Sequence, residues 1–218
     1  MIIGKEMSAE DYIVNRWIKD ETWKRLKARP HQVRFKIVSH LLTGESFMDV
    51  GCACGHSIAW MKKHRPGIYN WSGLDFSPTA IEKARESFPS VPFYLAEDFN
   101  LLPVCGKFDS VTCLGTIEHI EDDEALVKGL VSITNQTLVI STPARRFGKD
   151  AGHVRFYTPA DFERLFGDYF YIVLMRWPHY IVIVKPGHAH NDGKILNDFA
   201  HRCQTLLHQC VCLGEKNG

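Results

Sequence analysis

The chain has 218 residues, 45% of them hydrophobic and 23% charged, ordinary values for one globular domain long enough to need no disulfide or metal staple. Lys plus Arg number 26 and Asp plus Glu 25, a formal charge of +1, which argues against a broad basic surface for nucleic acid and against an acidic disordered protein. Residues 1–12 lack the apolar core of a signal peptide, no stretch approaches the roughly 18 apolar residues of a membrane helix, and seven cysteines without a secretory signal are expected as reduced thiols in a cytoplasmic protein.

Ser8, with Asp11 three residues on, predicts a capped helix over 8–27 that carries Ile13, Trp17 and Leu26. Pro30 interrupts. Val33, Ile37, Val38, Leu41 and Leu42 then recur at helical spacing, and Gly44 stops that helix. From Phe47 the rhythm changes to strand and helix in alternation. Strands are expected at 46–50, 69–74, 92–95, 109–114 and 137–141, with helices at 57–64, 77–87 and from Asp122 or Asp123 onward. Ser77 is a good cap, with Pro78 at the first helical position. This alternation means an α/β fold, a doubly wound parallel sheet with helices on both faces. Thr158 caps a further helix to about 166, and two apolar runs, 169–176 and 180–185, suggest an antiparallel hairpin. The tail holds one amphipathic helix through Ile195, Phe199, Cys203 and Leu206, suited to packing on the domain or to forming a homodimer.

The most informative segment is Phe47-Met48-Asp49-Val50-Gly51-Cys52-Ala53-Cys54-Gly55, where the first strand of the alternation turns into a helix. It is neither the dinucleotide fingerprint G-x-G-x-x-G nor a phosphate loop, since no G-K-[ST] follows. The pattern is D-x-G-x-x-x-G, and its carboxylate suits a cationic ligand group better than a pyrophosphate. A tight strand–helix turn would give the same letters. Asp75, 20 residues after Gly55, stands where an acid can hydrogen-bond ribose hydroxyls, though it could also cap the next helix. After a third strand, Glu97-Asp98-Phe99 offers an acceptor for an exocyclic amine and a ring to pack on a base.

Segment 49–55, Asp75, Glu97-Asp98 and Phe108-Asp109 with Ile117-Glu118-His119-Ile120 resemble the successive motifs of class I S-adenosylmethionine-dependent methyltransferases, nearest to the small-molecule branch related to ubiquinone biosynthesis. The resemblance covers roughly residues 30–185 and rests on the order and spacing of four motifs. It implies a Rossmann-like, mostly parallel seven-stranded sheet with an antiparallel last strand, and S-adenosylmethionine as cofactor. Gly51 and Gly55 would line its methionine part, Asp75 would hold its ribose and Asp98 would face its adenine amine, with Asp49, Cys52, Phe76 and Phe99 also among the cofactor-binding residues. Leu114 and Gly115 would border it after the fourth strand. The family usually has glycine where Ala53 stands, and the added methyl narrows the loop.

Such an enzyme mainly positions its reactants, and orientation can contribute up to about 7–11 kcal/mol. An acceptor with a proton to lose needs a base as well. His119 and His153 are the catalytic candidates, each with a structural alternative in bracing the backbone. Arg155 and Tyr157 could orient substrate, and Tyr12 and Trp17 could cover the pocket. Six cations and no acid occupy 24–36, a solvated face or an attraction for an anionic substrate. No metal is expected. Glu121-Asp122-Asp123-Glu124 suits a helix dipole, and Cys52, Cys54 and His56 lack a second half-site. The chain therefore divides into an N-terminal helical lid (1–45), a cofactor-binding core (46–187) and a C-terminal helix and tail (188–218). A small-molecule or lipid-like acceptor is expected, with no nucleic acid and no membrane span. A non-catalytic binding or scaffold protein, or a methyltransferase of RNA or protein, are the alternatives.

Overall fold

A computed structural model of the chain describes residues 29–96, 98, 102, 105–144, 152–176 and 178–188, with short N-terminal pieces at 2–3, 7–8, 11, 14 and 15. Ser8, expected as a helix cap, pairs with Ile2 in a two-residue antiparallel ladder instead. Residues 11, 14 and 15 are helical, and the rest of the expected 8–27 helix lies outside the described residues, as does the tail helix.

The first long helix, α1, spans Arg29–Leu41. Pro30 sits in its first turn, where an N–H would have no intrahelical partner. Strands β1 (Ser46–Val50), β2 (Asn70–Asp75), β3 (Phe93–Leu95), β4 (Phe108–Leu114), β5 (Thr134–Pro143), β6 (Phe170–Arg176) and β7 (His179–Lys185) form one sheet in the order β3-β2-β1-β4-β5-β7-β6. The first five are mutually parallel, and β7 runs antiparallel to both its neighbours. The β6–β7 hairpin follows from two apolar runs too close together for a crossover.

Alternation along the strands divides the core in two. Met48, Val50, Val111, Cys113 and Ile140 face α4 (Asp123–Ser132) and α5 (Pro159–Phe166), packing on Leu126, Leu130, Phe162 and Phe166. Phe47, Trp71, Val139 and Ile181 face the other way, toward α1, α2 (His56–His64) and α3 (Pro78–Ser87). The helices start where their letters direct. Ser77 Oγ accepts from the Ala80 amide at 3.1 Å, and Asp122 Oδ1 accepts from the Ala125 amide at 2.9 Å. No helix among the described residues is long and apolar enough to cross a membrane.

The strand order reverses direction at β1, which has β2 on one side and β4 on the other. In open α/β sheets the crevice at the carboxyl ends of such strands is where ligands bind. Segment 51–55, Asp75, Gly115 and the 117–119 turn all lie there, because each directly follows or ends one of these strands.

Candidate functional site

The loop after β1 is tied down at both ends. The amides of Gly51 and Cys52 both donate to the Leu74 carbonyl, at 2.8 and 3.0 Å, and the Gly55 amide donates to the Cys52 carbonyl at 2.9 Å. Gly51 has φ 80°, and a Cβ built there would lie 2.2 Å from Thr116 Oγ1. That position admits no side chain. Gly51→Ala is expected to cost about 2–5 kcal/mol, from left-handed strain plus overpacking, measured by urea denaturation. Ala53 also stands at positive φ, 45°. Its amide donates to Asp75 Oδ2 at 2.7 Å, which helps to hold a conformation that alanine otherwise avoids.

Asp75 does more than its spacing suggested. Its Oδ1 accepts from the amides of Phe76 and Ser77 at 2.8 and 3.0 Å while Oδ2 holds Ala53. One carboxylate thus latches the β1–α2 loop to the start of α3. Asp49 is buried, 1% exposed, and points to the α1–α2 side. Ser57 Oγ donates to its Oδ2 and Thr112 Oγ1 to its Oδ1, both at 2.6 Å. Burial pushes the Asp49 carboxyl up to about 6, against the lowering effect of those two bonds.

Arg34 of α1 was not singled out by the sequence, where it was one of six cations. It is 6% exposed, and its Nη1 reaches Ser141 Oγ at 3.4 Å and comes 3.7 Å from where a Gly115 Cβ would be. Its Nε is buried with no hydrogen-bond partner among the described residues. Burial lowers its pKa to about 10, with Glu118 and Asp49 opposing, so the cation persists at neutral pH. His31 and His179 flank it with ring centroids 6.0 Å apart. Burial first, and the Arg34 charge second, push them down to about 4 and about 3, so both are neutral at pH 7. A buried guanidinium beside the loop, with a donor to spare, matches the carboxylate end of an amino-acid ligand.

On the other side of Gly115 lies a 3-10 turn, Ile117–His119. His119 Nδ1 donates to the Gly152 carbonyl at 2.8 Å, the backbone-bracing role. The Val154 amide donates to the Glu118 carbonyl at 2.9 Å, so the turn after β4 and the segment after β5 are pinned together. The His119 and His153 ring centroids are 4.7 Å apart, and Glu118 is buried beside them. A ligand atom from each of Glu118, His119 and His153 lies within 4.8 Å of the other two. The two expected catalytic histidines therefore do meet, although they are far apart in sequence.

Residues 48–136 match the sequence pattern of a methyltransferase domain family. That span contains the 51–55 loop, Asp75, Gly115 and the Glu118-His119 turn. The sequence likeness over 48–136 is therefore to a methyltransferase domain. The chain is 27% identical over 123 residues to a ubiquinone biosynthesis O-methyltransferase of Coxiella burnetii, covering 53% of this chain and 51% of that protein. It is 30% identical over 97 residues to a trans-aconitate 2-methyltransferase of Escherichia coli, covering 44% and 38%. The chain thus spans about half the length, or less, of these curated relatives. The fold is shared with a crystal structure of magnesium protoporphyrin IX methyltransferase from Synechocystis with bound S-adenosylmethionine, at a TM-score of 0.57 and 18% identity over 81% of this chain and 94% of that one.

The remaining expected residues fall into different places. Leu114 and Gly115 close β4 beside the loop, and the Gly115 amide donates to the Ser141 carbonyl at 2.8 Å. Phe76 is half-buried next to Asp75, and Asp98 is exposed after β3. Phe99, Tyr12 and Trp17 lie outside the described residues. Cys52 and Cys54 are free thiols, and burial pushes Cys52 well up and Cys54 up to about 11, so neither is a thiolate at neutral pH.

Tyr157 and Arg155, expected to orient substrate, are engaged with Asp123 instead. Tyr157 is 2% exposed, and its hydroxyl donates to Asp123 Oδ2 at 3.1 Å and to the Ile117 carbonyl at 3.2 Å. Arg155 pairs with Asp123 and with the Glu121 carbonyl, and Arg164 Nη2 pairs with Asp123 Oδ2 at 2.9 Å. Burial raises the Asp123 carboxyl, yet the two arginines outweigh it and hold it below the ordinary range. Asp123 is thus the buried hub of a half-exposed ion cluster as well as an acid in a helix's first turn. Tyr157→Phe is expected to cost about 1–2 kcal/mol of stability and to leave the KM for an acceptor unchanged. A raised KM with unchanged stability would restore its substrate role.

Proposed function

We propose that the chain transfers a methyl group from S-adenosylmethionine to a small-molecule acceptor, at an oxygen atom. The observation that carries this reading is the joint placement of the 51–55 loop, Asp75 and the buried Arg34 at the switch point of the sheet. S-adenosylmethionine supplies a sulfonium-activated methyl that leaves by in-line displacement.

The residues fit its parts. Arg34 Nε, buried and without a partner among the described residues, suits the methionine carboxylate, and the side-chain-free Gly51 lets the chain approach closely. Asp75, whose carboxylate also accepts the amides of Ala53, Phe76 and Ser77, anchors the ribose, and Asp98 accepts from the adenine amine. The buried Asp49 sets a negative potential suited to the cationic half of the cofactor. Glu118, His119 and His153 face the acceptor, and withdraw or take its proton.

The name of the ubiquinone biosynthesis O-methyltransferase supports an oxygen acceptor, and the names of both relatives support a small molecule. Tritiated methyl from S-adenosylmethionine, incubated with the chain and a fractionated cell extract, should appear in low-molecular-mass products labile to ether-cleaving or ester-cleaving conditions. Label confined to RNA or protein would replace this reading with methylation of a macromolecule.

A further inference from the structure

Methyl transfer alone does not account for the company that Glu118 keeps. Its carboxylate is 3% exposed, and two imidazoles share the pocket with it. Three potential ligand atoms converge within 4.8 Å from two segments that the fold binds together twice, through His119 to Gly152 and Val154 to Glu118. Metal bonds of about 2.0–2.2 Å would set ligand atoms roughly 3–3.5 Å apart, so small side-chain rotations suffice to close the set. His119 is already oriented as a metal-binding histidine is. Donation from Nδ1–H to a backbone carbonyl fixes the tautomer and leaves Nε2 as the nitrogen with a lone pair.

We propose that Glu118, His119 and His153 bind one divalent first-row transition metal, of the Zn2+ and Co2+ kind. The donor set decides the class of ion. Two imidazoles and one carboxylate suit borderline cations, whereas Mg2+ and Ca2+ favour all-oxygen shells. Three protein ligands leave at least one coordination position open, as catalytic rather than structural sites do. This departs from the expectation of no metal, which rested on ligands close in sequence. Here the partners are 119 and 153, joined only by the fold.

The use of the ion rests on the methyl-transfer reading. A cation at this place draws electron density from an acceptor hydroxyl and promotes loss of its proton to water. One carbon–oxygen bond then forms as one carbon–sulfur bond breaks.

The test uses the full chain stripped with a chelator and titrated with Co2+, followed by visible absorption, and with Zn2+ by calorimetry. One equivalent is expected, with the d–d bands of a nitrogen and oxygen site and no thiolate charge-transfer band. Glu118→Gln and His153→Ala should each weaken binding by more than the roughly 10–100-fold that loss of an outer-sphere partner costs. His153 is only half-buried, so that variant is expected to fold even if Glu118→Gln does not. Absence of bands in the intact protein overturns the proposal, and so do bands that survive His153→Ala or carry thiolate character. S-adenosylmethionine binding is measured on the same samples. Metal binding without cofactor binding defeats the methyl-transfer reading alone, and cofactor binding without metal binding defeats the metal site alone.

Discussion

Asp75→Ala is expected to cost about 3–5 kcal/mol of stability and to abolish measurable binding of S-adenosylmethionine. The stability loss follows from three amides, those of Ala53, Phe76 and Ser77, which lose a charged acceptor together. Hydrogen bonds to ionised groups contribute about 1.5–3 kcal/mol each, and part is recovered where Phe76 can reach water. The binding loss follows from the same bonds, because release of Ala53 lets the 51–55 loop leave its left-handed turn. Asp75→Asn separates the two effects. Its carbonyl oxygen still serves Phe76 and Ser77, while its amide nitrogen faces the Ala53 N–H, donor against donor. It should fold, with a loss of about 1–3 kcal/mol, and still bind the cofactor poorly. Urea denaturation and titration calorimetry read the two quantities. An Asp75→Asn protein with undiminished affinity would remove Asp75 from the cofactor site.

Asp49→Asn is expected to act in the opposite direction on stability. The carboxyl moves from an ordinary 3.8 to about 6 in the folded chain, because burial disfavours its charge. Between these values the folded state binds more protons than the unfolded one, so wild-type stability falls as pH rises from about 4 through about 6. Below about 4 the group is neutral in both states and carries no penalty. Above about 6 the penalty is complete. At about 1.4 kcal/mol per pH unit, the uncharged Asn should be more stable by about 1–3 kcal/mol at pH 7.5 and by nothing at pH 3.5. Ser57 and Thr112 can turn their hydroxyls to suit the amide. Cofactor affinity should drop in the same variant, which is the reason to retain a costly charge. A variant less stable than wild type at pH 7.5 would show that Asp49 is a structural acceptor and not a strained ligand.

The sheet was legible because its information is local. Alternating apolar runs, Ser77-Pro78 and Asp122 locate strands and helices without reference to distant residues, and the observed boundaries follow them closely. Pro30 falls in the first turn of α1, a place that accepts proline because an N–H there has no intrahelical partner. Spacing singles out Asp75, yet its three amide bonds depend on how the β1 loop folds back over β2. Arg34 was hidden for a different reason. Six cations between 24 and 36 are equivalent as letters, and only the docking of α1 against Ser141 buries this one. Asp123 looked like a neighbour of three other acids at a helix start, and its partners Arg155, Tyr157 and Arg164 are more than thirty residues away. Long-range polar clusters of this kind have no period, so hydrophobic patterning cannot announce them.

Titration calorimetry of the intact chain with S-adenosylmethionine tests the central claim most directly. One saturable site is predicted, weakened at least about tenfold, or about 1.4 kcal/mol, by Arg34→Met. Absence of binding heat, together with no rise in melting temperature when S-adenosylmethionine is added, would contradict it.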